Sequence, residues 1–317
     1  MEESFEKSIR VSPRLLKKLA EKSNLRGWRQ TLSHLSAIFI CTLGLIFTWG
    51  SVFAVPFFLF QGILINCLYA GVHELSHNTV FKTRALNEIF GRLFTFILLM
   101  GRDQDKFEHF QHHRHTQDVE LDAEIVGGKA FTLTSYVLYM SGITYWPKRI
   151  MEVLRLAAGQ TQYWPWLSAP QLKIVHKEAR LMLLGYGIIA VISIWLCSAA
   201  ALTFWLLPMF VMKCFQNLQN TVEHTGMPHV QDIVVNTRTI KAHPIMHWLL
   251  WNMPYHTAHH SYPMVPFYQL APLHKAVVES LGAEPPTVTH LGFQKHMIRK
   301  LMREGTSAYT GKDITAY

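Results

Sequence analysis

The sequence contains little charge and no closely spaced cysteines. Charged residues make up 16% of its 317 residues, whereas a soluble domain carries about 25%. The four cysteines (Cys41, Cys67, Cys197 and Cys214) lie far apart and form no CxxC pair. This spacing argues against a disulfide framework or a cluster of metal-bound thiolates. The chain also has no GxGxxG motif for a flavin or nicotinamide, and no His-Pro-Gly-Gly motif of a haem-binding electron carrier.

Long apolar runs take the place of the missing charge. Hydrophobic residues make up 50% of the chain, and four runs come close to the ~20 residues that a helix needs to cross a bilayer. We predict membrane spans at residues 32–50, 57–77, 181–199 and 200–221. Short turns join the spans in pairs, so the sequence predicts an all-α integral membrane protein with four transmembrane helices in two hairpins.

The basic residues indicate which side of the membrane the polar segments face. All thirty Lys and Arg residues lie in residues 1–31, in residues 78–180 or from residue 213 onward, and the two short turns have none. By the positive-inside rule, we expect both termini and the long middle segment in the cytoplasm. The net charge of +9 then faces anionic lipid headgroups, and we expect no nucleic-acid partner.

The same polarity divides the chain into three parts. Residues 1–31 are basic and polar, and we expect a cytoplasmic or interfacial amino-terminal segment. Residues 32–275 contain the spans and the histidine clusters described next, and we expect one membrane domain. Residues 276–317 are polar again and are expected to form a cytoplasmic tail.

Half of the eighteen histidines occur with helical spacing. A HxxxH pair begins at residue 73, HxxHH clusters begin at residues 109 and 256, and a single histidine lies one helical turn after Asn220. Positions i, i+3 and i+4 share one face of a helix. The nine aligned imidazoles belong to His73, His77, His109, His112, His113, His224, His256, His259 and His260.

Nine imidazoles are too many for a single metal ion. One ion takes about four to six ligands, so the clusters predict two metal ions with positions left open for water or oxygen. Neutral imidazole suits iron, zinc, copper and nickel. The predicted topology places every cluster on the cytoplasmic side, and we expect a cytoplasmic helical cap that holds a histidine-rich dimetal site.

Acidic residues surround the second histidine cluster. Most of them are expected to be solvated. Asp118 and Asp122 are our candidates for accepting hydrogen bonds from the ring N–H groups of the ligand histidines, which would fix the tautomer of each ring.

The three clusters HELSH, HFQHH and HTAHH, in this order and with hairpins around them, resemble those of the membrane fatty acid desaturase superfamily. The resemblance covers roughly residues 40–275. It implies a non-haem diiron centre that uses O2 to desaturate a fatty acyl chain, with the three clusters as ligands. It also implies that His224 is the ninth ligand and that Asn220 either contacts a metal ion through a water molecule or supports one of the ligands.

Other activities remain open at this point. The stretch Glu223-His224 followed by Gly226 is similar to the hydroxylase branch of the same superfamily, which would act on a lipid, an alkane or another small apolar molecule. HELSH also matches the HExxH motif of zinc proteases, in which Glu74 would be the general base. A protease needs only one zinc, however, so we expect Glu74 to orient a ligand histidine instead. A metal transporter would place its ligands near the middle of the bilayer, whereas the histidine clusters are expected at the cytoplasmic ends of the spans and beyond, which argues against a transporter.

The missing motifs also bear on the electron supply. Since the chain carries no recognisable site for a flavin, haem or iron–sulfur cluster, we expect an external donor, either a ferredoxin or a cytochrome b5-type protein with its reductase. Such a carrier would dock on the basic cytoplasmic face. The acyl lipid or other apolar substrate would enter from the bilayer.

Overall fold

The computed structural model describes residues 9–124 and 130–309, and these residues are mostly helical. The helices before residue 125 are α1 (Pro13–Leu19), α2 (Asn24–Thr48), α3 (Ala54–Ser76), α4 (Arg84–Ile97) and α5 (Arg102–Arg114). Those after residue 129 are α6 (Leu133–Met140), α7 (Tyr145–Ala157), α8 (Ala169–Trp195), α9 (Leu207–Val211), α10 (Lys213–His224), α11 (Ile233–Asn236), α12 (Pro244–Leu249), α13 (His256–Ser261), α14 (Leu270–Leu281) and α15 (His290–Glu304). A π-helical turn (Leu202–Leu206) precedes α9, and a 3₁₀ turn (Phe267–Gln269) precedes α14. The strands β1 (Thr239–Ile240) and β2 (Thr287–Val288) pair in parallel.

Three helices of the described residues are long and apolar enough to cross a membrane, namely α2, α3 and α8. They correspond to the first three predicted spans, although α2 and α8 begin 8 and 12 residues earlier than predicted. Within an apolar stretch of 18 residues in each helix, only 17% of the residues of α2 and 11% of those of α8 are buried, against 56% of those of α3. The side chains of α2 and α8 therefore face outward, as lipid-facing helices do, and α3 lies at the centre of the bundle.

The predicted fourth span, at residues 200–221, is not one continuous helix. Pro208 has no backbone N–H to donate, and the residues before it adopt the wider π-helical turn, in which the N–H of Leu207 bonds the carbonyl of Leu202. At Met212 the backbone leaves the helical region (φ −94°, ψ 15°), so α9 ends and α10 starts separately. The hydropathy of this run predicted its position but not its interruption.

Side chains of α3 bond the backbone of this interrupted segment. The Gln61 amide donates to the carbonyl of Phe204 at 3.1 Å, and the Asn66 amide donates to that of Met209 at 2.8 Å. Between them lies Gly62, where a Cβ atom would stand 2.1 Å from the carbonyl oxygen of Pro208. The two helices therefore touch through their backbones, and this contact places α10, with His224 at its end, against α3.

We expect Gly62→Ala to destabilise the protein by about 1–3 kcal/mol or more, because the added methyl group would meet backbone that has no side chain to move aside. The measurement is the thermal unfolding midpoint of the detergent-purified protein. Gly187→Ala in α8 is the matched control, since a Cβ there meets nothing within 4 Å. Alanine at that position should be neutral or stabilising by about 0.5–1 kcal/mol. Equal midpoints for the two variants would contradict the close contact.

A buried arginine joins α5 to the end of α3. The Arg102 side chain is 1% exposed, and it donates to the carbonyl of Leu75 at 2.8 Å and to Ser76 Oγ at 3.0 Å. The guanidinium cation is also attracted by the partial negative charge at the carboxy-terminal end of α3. Gly91 of α4 leaves room for the guanidinium, because a Cβ there would lie 2.2 Å from Arg102 Nε. The start of α5, the helix that carries the second histidine cluster, is thereby fixed to the end of α3, which carries the first.

The predicted boundary between membrane domain and tail, at residue 275, falls within α14. Beyond it, β2 pairs with β1, and Phe293 and Met297 of α15 pack in one buried cluster with Val222 of α10. The described part of the carboxy-terminal segment therefore folds back onto the helix that ends in His224.

Candidate metal centre

Four separate segments bring their histidines to one place. His73 lies in the last turn of α3 and His77 directly follows this helix, while α10 ends at His224. The HxxHH clusters form most of the carboxy-terminal half of α5 and most of α13. All nine histidines that the sequence singled out meet here, and His115, which follows α5, belongs to neither of the two groups described next.

The histidines separate into two groups. One ring nitrogen of each member lies within 4.8 Å of those of the others in the same group. The first group consists of His73, His77, His109, His113 and His259, and the second of His112, His224 and His260. His256 adjoins the second group, since its Nε2 lies 2.8 Å from His224 Nε2. The arrangement therefore offers five imidazoles on one side and four on the other.

Pairs of Nε2 atoms face each other at short distances. His73 and His259 are 2.7 Å apart at these atoms, and His77 and His109 are 2.8 Å apart. In the pair of His224 and His256, the Nδ1 atoms lie beside acceptors, at 3.1 Å from the Asn236 carbonyl and 3.5 Å from Glu223 Oε1. When Nδ1 carries the proton, both Nε2 atoms present lone pairs to each other. A cation bound by both removes that repulsion, so this donor set fits a metal ion.

Burial keeps most of these rings in the form that binds metal. It is the largest cause that lowers the pKa values of His109, His113 and His260 well below the usual range, and neighbouring imidazoles add to it. These rings are therefore neutral at pH 7. Burial also acts against the charged form of His112, but the carboxylates of Glu124 and Asp122 outweigh it and raise the pKa of His112 to about 9. A metal ion on that ring would displace the proton.

Asp122 holds the His112 ring in place. Its carboxylate is completely buried, and both oxygens lie 2.9 Å from His112 Nδ1. The backbone N–H groups of Gln117 and Glu124 donate to the same carboxylate at 2.9 Å. Because Nδ1 donates to Asp122, Nε2 is left free for a metal ion.

The structure does not bring Asp118, the other acidic candidate, to the ligand rings. The side chain of Asp118 accepts hydrogen bonds from the backbone N–H groups of Glu120 and Leu121, which lower its pKa below the usual range. The residue begins the turn that leads to Asp122, since the N–H of Asp122 donates to the Asp118 carbonyl at 2.9 Å. Asp118 thus shapes the loop, and Asp122 contacts the histidine.

Glu74 occupies the matching position in the first group. It is completely buried, and its Oε1 lies 3.2 Å from His259 Nδ1. Its Oε2 accepts hydrogen bonds from Thr79 Oγ1 at 2.9 Å and from the N–H of Phe267 at 3.2 Å. The glutamate of the HExxH motif therefore contacts His259, a histidine outside that motif. The general base of a zinc protease would instead contact the metal-bound water.

Three further contacts to the histidines had not been assigned from the sequence. Glu124 Oε1 lies 3.6 Å from His109 Nδ1, and Thr116 Oγ1 lies 3.3 Å from His260 Nδ1. The backbone carbonyl of Asn236 is the partner of His224. Glu124 stood among the acidic residues near the second cluster, so composition could have suggested it, but no residue type signals a backbone carbonyl.

Asn220 lies beside His73 of the first group. Together with His73 it lines a cavity of about 20 Å³ between α3 and α10, which is room for about one water molecule. The position suits an indirect contact with a metal ion through water.

Comparisons with known proteins match the part of the chain that carries the histidines. A family model described as "Fatty acid desaturase" matches residues 49–292, which include all nine histidines. An endoplasmic reticulum omega-6 fatty acid desaturase from Brassica juncea is 22% identical over 252 residues. The matched region covers 70% of this chain and 65% of the relative, so the chain spans slightly less than two thirds of that protein's length.

Proposed function

Because the chain belongs to the fatty acid desaturase family, we propose that it is a membrane-bound diiron oxidoreductase that desaturates a fatty acyl chain with O2. The observation that carries the proposal is the division of nine buried or half-buried histidines into groups of five and four. Imidazole is a suitable ligand for iron, and a ligand set of this size leaves room for O2 at two ions. The Brassica relative is, by its name, an omega-6 fatty acid desaturase.

The roles of the individual residues follow from their contacts. Two iron ions, when bound, supply the activation of O2 and the removal of hydrogen from an unactivated C–H bond. The nine histidines would hold them, and Asn220 would contact one through water. Asp122 keeps the His112 ring in the tautomer that offers Nε2 to the metal, and Glu74 lies beside Nδ1 of His259 in the first group. The buried position of these groups keeps bulk water from the reacting carbon.

We propose that an apolar chain reaches the site from the bilayer, between α3 and α10. The small cavity beside His73 lies between these helices. Ala70, Leu250 and Met253 form the apolar part of its lining, and the rest includes polar side chains of both helices. We further propose that the site and both termini face the cytoplasm, which the distribution of basic residues supports. The division into a membrane domain at residues 32–275 and flanking cytoplasmic segments belongs to the same proposal.

The first test is the metal content of the detergent-purified protein, followed by product analysis under ¹⁸O2. We expect about two iron ions per chain, as the two groups of ligands require. The product should have lost two hydrogens and contain no ¹⁸O. A single zinc ion without iron would contradict the proposal and favour the protease or transporter interpretation.

A diiron hydroxylase is the second candidate, because of one contact. Glu223, part of the stretch that is similar to the hydroxylase branch, lies 3.5 Å from His256 Nδ1. Its carboxylate also accepts a hydrogen bond from the Gln219 side chain at 2.8 Å. The same ¹⁸O2 experiment separates the two activities, since a hydroxylase would add one ¹⁸O atom to the product and leave the acyl chain of the substrate saturated.

A further inference from the structure

A groove of about 830 Å³ opens beside the amino-terminal end of α2. We call it the arginine groove. Its walls include Arg26, Arg29 and Gln30 of α2, His247 and Trp248 of α12, and Tyr268 of the 3₁₀ turn. Among the described residues, no aspartate or glutamate lines it.

We propose that the arginine groove is the docking surface for an acidic one-electron carrier protein. The proposal rests on the function proposed above, which needs reducing equivalents from outside the chain. Each encounter would oxidise the carrier by one electron, which the metal held by the histidines would accept. Two encounters would supply two electrons. Together with two protons from solvent and the two hydrogen atoms removed from the substrate, which bring two electrons and two protons, they balance the reduction of one O2 to two water molecules.

Charge is the first reason for an acidic partner. Arg26 and Arg29 are three residues apart in the first turns of α2, and both are exposed. Among the described residues, neither guanidinium has an ion-pair partner, and that of Arg26 lies over the Tyr268 ring at 5.2 Å. Two cations that form no ion pair with the described residues attract carboxylates of a partner and speed its association.

The aromatic lining is the second reason for a protein partner. Trp248, Tyr255, Phe267 and Tyr268 contribute to the groove. Arginine together with tryptophan and tyrosine is the composition that dominates the binding energy of protein interfaces.

The third reason is the short connection from the groove to the metal ligands. Phe267 lines the groove, and its N–H donates to Glu74 Oε2 at 3.2 Å. The other oxygen of Glu74 lies 3.2 Å from His259 Nδ1. Tyr255, also in the wall, directly precedes His256 in the chain. A carrier bound here would therefore be connected with both groups of histidines.

The test compares two charge-reversed variants of the full chain in nanodiscs. The groove variant is Arg26→Glu with Arg29→Glu. The matched control is Arg299→Glu with Arg303→Glu, which changes the charge equally at two exposed positions of α15. The probes are the soluble domain of a cytochrome b5 and a plant-type [2Fe–2S] ferredoxin. We would measure equilibrium binding of each oxidised carrier, the KM for each reduced carrier, and a single turnover after chemical reduction of the enzyme.

We expect the groove variant to bind at least one carrier about tenfold more weakly and to raise its KM by a similar factor. Its single turnover after chemical reduction should equal that of the wild type, and the control variant should match the wild type throughout. If the reversed pair does not fold, Arg26→Gln with Arg29→Gln replaces it.

Two results would overturn the proposal. Unchanged binding of both carriers would place the donor elsewhere. Loss of the chemically reduced turnover with intact carrier binding would instead assign the groove to a phosphate-bearing lipid headgroup. If the wild type forms no product with any acyl substrate, the proposed function fails, whereas the binding measurement still decides whether the groove is a docking surface.

Discussion

Replacing His259 with alanine is expected to reduce turnover at least about a hundredfold, since the loss of a group that merely supports a metal ligand already costs about 10–100-fold. His259 is completely buried, and its Nε2 lies 2.7 Å from that of His73 and 3.3 Å from that of His113. It therefore occupies the middle of the first group. We expect the iron content to fall from about two to about one or less per chain, because only one complete ligand group remains.

His176→Ala provides the control for this substitution. His176 lies on α8, and its Nε2 is 3.3 Å from the carbonyl of Gln160, away from both histidine groups. The control should keep its iron and its activity, and both variants should insert into the membrane like the wild type. Full activity of His259→Ala with a normal iron content would remove the basis for the proposed diiron centre.

The sequence predicted which histidines meet, because their spacing is a local property of helices. It could not predict how they divide. In a helix, positions i and i+4 point about 40° apart, whereas i+3 and i+4 point about 100° apart. His109 and His113 of α5 accordingly share the first group, and His112 joins the second. In α13 the assignment is the opposite: the i and i+4 histidines, His256 and His260, belong to the second group, and His259 belongs to the first. The division therefore depends on how the two helices are placed in space.

The same limit applies to the spans and to the acidic partners. Hydropathy identified the apolar run at residues 200–221, but it does not register the missing N–H of Pro208, which accompanies the π-helical turn. Asp118 and Asp122 could not be distinguished by composition, since both follow the second histidine cluster closely. The turn between them determines which carboxylate contacts a histidine, because it directs Asp122 inward and leaves the Asp118 side chain at the surface.

We expect Asp122→Asn to lower turnover and iron affinity by about 10–100-fold. Asparagine has nearly the same shape, but its amide group can turn an N–H toward His112 Nδ1, where the ring now donates to a carboxylate oxygen at 2.9 Å. The ring would then carry its proton on Nε2, and the second group would lose one of its four donors. The measurements are iron titration and single turnover with chemically reduced protein.

Asp118→Asn is a matched control for this substitution, because it makes the same chemical change four residues away. Its side chain accepts hydrogen bonds from the backbone N–H groups of Glu120 and Leu121, and the carbonyl oxygen of asparagine can accept them as well. Activity and iron affinity should therefore stay within about twofold of the wild type, since a surface substitution of this kind changes stability by at most about 0.5 kcal/mol. Equal losses in the two variants would mean that the loop as a whole supports the site. A loss confined to Asp122→Asn would assign the effect to the buried carboxylate of Asp122, which contacts His112 and two backbone N–H groups, because the two substitutions otherwise remove the same charge from the same loop.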